Sequence, residues 1–247
     1  GQGPARQHAE RRGAPCALRP DRAERARWSP SMNATAAGHA PTPQAIDFYF
    51  DCSSPWTYLA FHNLQPMARE LGVPVNWRPV LVGGIFNAVN PSMYEMRANP
   101  VPAKWAHMLK DMRDWTREAG LRPILFPPTV FPVNSVKVMR GCLWLLREQP
   151  GRFVPFATRV FERYWHDDAD ISQDTEIATI AQACSIDAQA LAQGIAQPGI
   201  KEALKTNTDE VIRRGGFGSP TMFWGEDMYF GNDRLGLLRS AILRSRD

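Results

Sequence analysis

Residues 46–80 hold two short runs of strand-forming residues on either side of one helix-length segment. IDFYF at 46–50 has the composition and length of a buried strand, and VPVNWRPV at 73–80 reads as a second, with Pro74 and Pro79 marking its ends. Between them Pro55 can occupy the first position of a helix, which then runs through YLAFHNLQPMAREL to a glycine at a plausible C-terminal cap. Pro66 inside it predicts a kink or a break. A strand, one crossing helix and a second strand imply a parallel pair with a right-handed crossover, so the class is α/β.

From Leu81 to about Gly215 the pattern becomes helical. AKWAHMLKDMRDWTREAG, SVKVMRGCLWLLREQ, FVPFATRVFERYWHDD, TEIATIAQACSI and DAQALAQGIAQ carry apolar residues at three- and four-residue spacings, with breakers between them. The segments PVLVGGIFNAVNPSMYEMRANPVPAK and LRPILFPPTVFPVN are expected as long loops. SPTMFW (219–224) and DMYF (227–230) flank Gly225-Glu226 as a hairpin, and NDRLGLLRSAILRS closes the chain as an amphipathic helix. The order βαβ, helical block, ββα is that of a thioredoxin-like fold with a large all-helical insertion. The expected division is therefore a discontinuous thioredoxin-like domain, 45–81 and 206–245, around a helical insertion domain, 82–205.

The first 44 residues are poor in large apolar residues and rich in Ala, Pro, Gly and Arg, and a disordered extension is expected there. Either an organellar transit segment or translated sequence upstream of a start at Met32 would explain them. They also explain the pI near 9. Residues 1–43 hold seven arginines against Glu10, Asp21 and Glu24, a net of +4 that equals the charge of the whole 247-residue chain. The folded part is neutral overall, and no nucleic-acid surface is expected. No stretch approaches the roughly 20 apolar residues of a membrane span. Four cysteines (16, 52, 142, 184) without CxxC or zinc spacing fit a reducing compartment, so a cytoplasmic location is expected.

The chemistry is concentrated in DCSSP, 51–55. A helix opening at Pro55 aims unpaired N–H groups and its positive dipole end at residues 52–54, which makes an anion site. A redox version of this junction needs a second cysteine three positions after the first. Pro55 stands there after Cys52, and Thr57 stands there after Ser54, so the dithiol is absent and disulfide exchange is not expected. Ser54 could be a helix N-cap alone. Cys52 reads as a small buried thiol, and Ser53, alternating with Ser54, should point elsewhere.

FYFDCSSPWTYLA resembles the opening strand and helix of kappa-class glutathione transferases and the related 2-hydroxychromene-2-carboxylate isomerases. The likeness continues through RPVLVGGIF (78–86), PAKWAHMLKDMRDW (102–115), FPVNSVKVMR (131–140), GGFGSPTMFW (215–224) and FGNDRLGLL (230–238), covering 45–245. It implies that Ser54 faces the glutathione sulfur and that Ser219-Pro220 is a cis bond presenting Ser219 to the cysteinyl part. It further implies that Asn232 and Asp233 hold the γ-glutamyl end, with Lys104 near the glycyl carboxylate and Asn90 on the cofactor side. Asn134 lies near the substrate side in the resemblance and could equally be a turn residue. The loop at 87–103, lengthened by NPSMYEMRA, departs from the family and shapes a pocket of its own. A homodimer, a small aromatic substrate and no metal are implied as well.

A free thiol with a pKa of about 8.5 is roughly 3% thiolate at pH 7, and lowering the pKa to about 6.5 gives roughly 75%. Ser54 would act as hydrogen-bond donor to that thiolate, with the attacking sulfur belonging to the cofactor. Within the resemblance SPTMFWGEDMYFGNDRL is closer to the isomerases, so glutathione-dependent cis-trans isomerisation is the favoured reading. A kappa-class transferase and a non-catalytic glutathione- or peptide-binding protein are the alternatives.

Overall fold

The structure is a computed structural model, and it describes residues 44–246. The expected disordered extension, 1–44, lies outside the described residues except for its last position. β1 (Ile46–Phe50), α1 (Pro55–Leu71) and β2 (Val75–Pro79) come first. A helical stretch follows: α2 (Val82–Val89), α3 (Ser92–Ala98), α4 (Pro102–Glu118), α5 (Val136–Glu148), α6 (Pro150–Trp165), α7 (Asp174–Ala183), α8 (Ala188–Ala196) and α9 (Pro198–Arg213). β3 (Thr221–Trp224), β4 (Asp227–Phe230), a 3₁₀ turn (Asn232–Arg234) and α10 (Leu235–Arg244) close the chain. The four strands form one sheet in the order β2-β1-β3-β4, with β1 parallel to β2 and antiparallel to β3. Among the described residues no helix is long and apolar enough to cross a membrane.

The alternation of IDFYF sorts its side chains between the two faces of the sheet. Ile46, Phe48 and Phe50 enter the main core, while Tyr49 joins Val80, Ile85, Val211 and Phe223 on the other face. On the main face Phe48, Phe50, Phe61, Trp77 and Phe153 pack with centroids 4.9–6.5 Å apart, Phe48 and Phe50 stacked and the other pairs edge-on or tilted, within the spacing aromatic pairs favour. That cluster joins the sheet to α1 and α6.

Three details differ from what the sequence suggests. α1 runs unbroken through Pro66. The segment expected as a loop before α4 folds into α2 and α3. In α2 the buried residues are Val82, Ile85 and Phe86, an apolar stripe at i, i+3 and i+4 masked in the sequence by Gly83-Gly84. Finally, α9 crosses 205–206, the boundary expected between the insertion and the second part of the sheet domain. From α9, Asn207 donates to Pro79 O at 3.1 Å and Thr208 Oγ1 accepts from Leu81 N–H at 3.1 Å, tying it to the exit of β2.

Candidate active site

The junction between β1 and α1 is held rigidly from below. Cys52 is fully buried; its N–H points at Met139 Sδ (3.4 Å), and its carbonyl accepts from Trp165 Nε1 at 3.0 Å. Burial, reinforced by the neighbouring Cys142, pushes its thiol well above the usual range, which removes the thiolate a nucleophile would need. The sequence expectation of a packing role agrees with this environment.

Two positions on, Ser54 is the N-cap of α1 and its Oγ accepts from Thr57 N–H at 3.2 Å. The same hydroxyl donates to Ser219 O at 3.1 Å, across 165 residues of sequence. The Ser219-Pro220 peptide is cis, as the resemblance implies. Ser219 Oγ in turn accepts from Asp51 N–H at 2.9 Å and lies 2.8 Å from Thr57 Oγ1. Helix terminus, serine hydroxyl and cis-proline loop therefore form one bonded unit.

Beneath it lies Asp51, which the sequence reading did not single out. Its carboxylate is buried, taking Ser53 N–H on Oδ1 (2.9 Å) and Val82 N–H and Ser135 O–H on Oδ2 (2.9 and 3.0 Å). Burial raises its pKa, and the three donors oppose the rise. One side chain thus fastens the serine junction to the first turn of α2 and to the N-terminus of α5. An acid directly after a strand leaves no periodic mark of burial, and the only sequence signal was its adjacency to SSP.

Above the junction opens a cavity of about 510 Å³. It brings together Ser54, Asn90, Lys104 and Ser219 from four separate parts of the chain, and Ser53 lines it as well, contrary to the expectation that Ser53 faces away. Its walls are mainly apolar. Trp105, Phe126 and Phe131 stand on one side, with ring centroids 5.7 Å and 5.1 Å apart in succession. Phe217 and Phe230 stand on another, 4.4 Å apart. Asn90 ends α2, donating through Nδ2 to Phe217 O (3.1 Å) and accepting from Ser92 Oγ (2.9 Å).

The other expected residues do not line this cavity. Gly231 N–H donates to Pro220 O at 3.1 Å, so the turn carrying Asn232 and Asp233 is tied to the back of the cis-proline. Asn232 is buried and accepts from Asn63 of α1 at 3.0 Å, leaving its Nδ2 without a partner among the described residues. Asp233 is exposed and pairs with the adjacent Arg234. Asn134 takes the second of the two roles left open for it. Its side chain accepts from Val136 N–H at 3.1 Å ahead of α5, and it is a turn residue outside the cavity wall.

The comparisons with known proteins follow the same outline. A 2-hydroxychromene-2-carboxylate isomerase from Sphingobium xenophagum is 28% identical over 200 residues, covering 81% of this chain and 98% of its own. The human glutathione S-transferase kappa 1 is 27% identical over 213 residues, covering 82% and 92%. A solved 2-hydroxychromene-2-carboxylate isomerase superposes with a TM-score of 0.69 at 26% identity, covering 81% of this chain and 95% of that one. The model of the DSBA-like thioredoxin domain matches residues 45–243. With the strand order, the serine-capped α1 and the cis-proline loop all inside that span, the chain belongs to the family of DSBA-like thioredoxin domains.

Proposed function

We propose that this protein is a glutathione-dependent isomerase acting on 2-hydroxychromene-2-carboxylate or a similar aromatic-degradation intermediate. The observation that carries the reading is the position of Ser54. It caps α1 against the cis Ser219-Pro220 loop and opens onto an aromatic-walled cavity, with no cysteine three positions after Cys52 or Ser54. When bound, glutathione supplies a thiolate that adds reversibly to an activated carbon of the conjugated substrate, freeing a double bond to rotate.

The chain's own groups divide the remaining work. Ser54 Oγ keeps one acceptor contact from Thr57 N–H and turns its proton from Ser219 O toward the anion; the helix terminus adds its partial positive charge. Ser219, freed of that hydrogen bond, offers its backbone to the cysteinyl peptide unit. Lys104 supplies a cation for the glycyl carboxylate, and Asn90 borders the same cavity. Asn232 and Asp233, in the turn tied to the back of the cis-proline, are assigned the γ-glutamyl end, with the exposed Asp233 carboxylate for its ammonium. The apolar walls accept the aryl portion and exclude water.

The relatives named glutathione S-transferase kappa make transfer the second reading, since the same anion site would serve it. Incubating the purified protein with glutathione and 2-hydroxychromene-2-carboxylate should give glutathione-dependent isomerisation without net thiol consumption. With a chloronitrobenzene electrophile, turnover that consumes thiol and exceeds the isomerisation rate would favour transfer. Glutathione binding with no turnover in either assay would leave a binding protein. Ser54→Ala should lower turnover by about 10²–10³-fold, the usual range for one lost donor to a reacting anion, while Cys52→Ala keeps most of it. The reverse result would move the site to Cys52.

A further inference from the structure

α3 places one unpaired arginine in the apolar cavity. Arg97 lines the same cavity as the serine junction, and its guanidinium carbon lies 5.3 Å from the Phe86 ring centroid and 5.4 Å from that of Phe131. The residue as a whole is exposed, yet its guanidinium lies over both rings. That desolvation lowers its pKa, and the titratable groups acting on it are the phenols Tyr94 and Tyr164, uncharged at neutral pH, with no carboxylate contributing. Among the described residues ten ion pairs use arginine and three use lysine, and none uses Arg97.

A cation held against aromatic faces without a counter-ion is a poor choice for stability alone. Cation–π contacts return about 0.5–2 kcal/mol, while an unpaired, partly desolvated charge loses hydration of similar or larger size. An anionic ligand entering the cavity would complete the site. Arg97 is planar and presents a fork of donors, which suits a carboxylate in two-point contact. The flanking rings of Phe86, Phe131, Phe126 and Trp105 suit a fused aromatic body next to that carboxylate.

We propose that Arg97 is the specificity residue of the substrate subsite, binding the carboxylate of an aryl carboxylic acid whose ring system lies between Phe86, Phe131 and Trp105. The proposal rests on reading the cavity as the substrate site and assigns the acidic end of the substrate to α3. Lys104, on the neighbouring helix α4, is left for the glutathione carboxylate.

Binding to the full-length protein, measured by calorimetry, tests this without turnover. The probes are naphthalene-2-carboxylate and its neutral isostere naphthalene-2-carboxamide, titrated with and without glutathione. Wild type should prefer the carboxylate by about tenfold to a hundredfold, the range for a hydrogen bond to a charged group. Arg97→Met should bring that ratio close to one while holding the carboxamide affinity within about twofold, which also reports an intact cavity. Lys104→Met should keep the ratio. Wild type without preference, absence of binding by both probes, or an unchanged ratio in Arg97→Met would each overturn the proposal. So would weaker glutathione binding by Arg97→Met with the aryl ratio intact, since Arg97 would then hold the glycyl end. Failure of the glutathione reading is separate: glutathione would give no binding heat while the aryl carboxylate preference persisted.

Discussion

At the scale of single residues, Asp51 is where burial and hydrogen bonding oppose each other most directly. Its carboxyl is 1% exposed and takes donors from Ser53, Val82 and Ser135. Desolvation is the larger influence, so its folded pKa lies above the ordinary carboxylate value of about 4. As pH rises past that ordinary value the unfolded chain releases its proton first, and the folded state holds more protons across the window. Stability from this group is therefore fully present below the ordinary value and lost as pH rises through the folded one. Asp51→Asn does not titrate, and its amide puts a donor against Val82 N–H or Ser135, at a cost of about 1–3 kcal/mol. Urea unfolding of both proteins at a series of pH values from acid to neutral should show the wild-type advantage shrinking as pH rises. A constant advantage would mean that the three donors balance burial, and a growing one that they outweigh it. The N-cap place of Ser54 was legible in the sequence because serine before a proline-opened helix is a capping pattern; Asp51 was not, because its three partners come from positions 53, 82 and 135.

At the scale of elements, the helices that pack by close approach reveal themselves through glycine. Gly194 of α8 faces Trp144 of α5, and a Cβ there would come within 2.3 Å of the indole. Trp144 is itself buried, so the ring has little room to yield. Gly151 in the first turn of α6 meets nothing within 4 Å. Alanine gains up to about 1 kcal/mol over glycine in a helix from backbone entropy alone. At Gly151 that gain stands unopposed, and Gly151→Ala should raise stability by a few tenths to about 1 kcal/mol. At Gly194 overpacking costs about 1–3 kcal/mol and wins, so Gly194→Ala should lower the denaturation midpoint. Equal effects at the two positions would show that α5 and α8 have slack between them. The same element scale explains the misreading of 81–101. Periodicity placed α1, α4, α5 and α6 because their apolar stripes are long, whereas α2 and α3 are eight and seven residues, carry Gly-Gly and Asn-Pro, and are stabilised by tertiary contacts such as Val82 N–H to Asp51. Propensity cannot register contacts of that kind.

Across the whole molecule, the order of strands and helices was readable because each element carries its own pattern, while the cavity was not, because its wall is assembled from non-adjacent segments. Phe86, Trp105, Phe126, Phe131 and Phe217 belong to α2, α4, the loop between α4 and α5, and the loop before β3. Only the fold makes them neighbours. A ligand spanning these segments ties both ends of the chain together, so binding must appear as global stability. A ligand that binds only the folded state adds RT ln(1 + [L]/Kd), about 2.7 kcal/mol at one hundred times Kd. For a domain of about 200 residues each kcal/mol is worth about 2–4 °C, so glutathione at that excess should raise Tm by about 5–10 °C. The monoethyl ester of the glycyl carboxylate lacks the charge assigned to Lys104 and should raise Tm less. In Lys104→Met the two ligands should become equivalent, because the lost cation was the only term separating them. A Tm independent of glutathione concentration would remove the cofactor from the proposed function. A Lys104→Met protein that still prefers the free acid would place the glycyl carboxylate elsewhere, with Arg97 as the remaining cation lining the cavity.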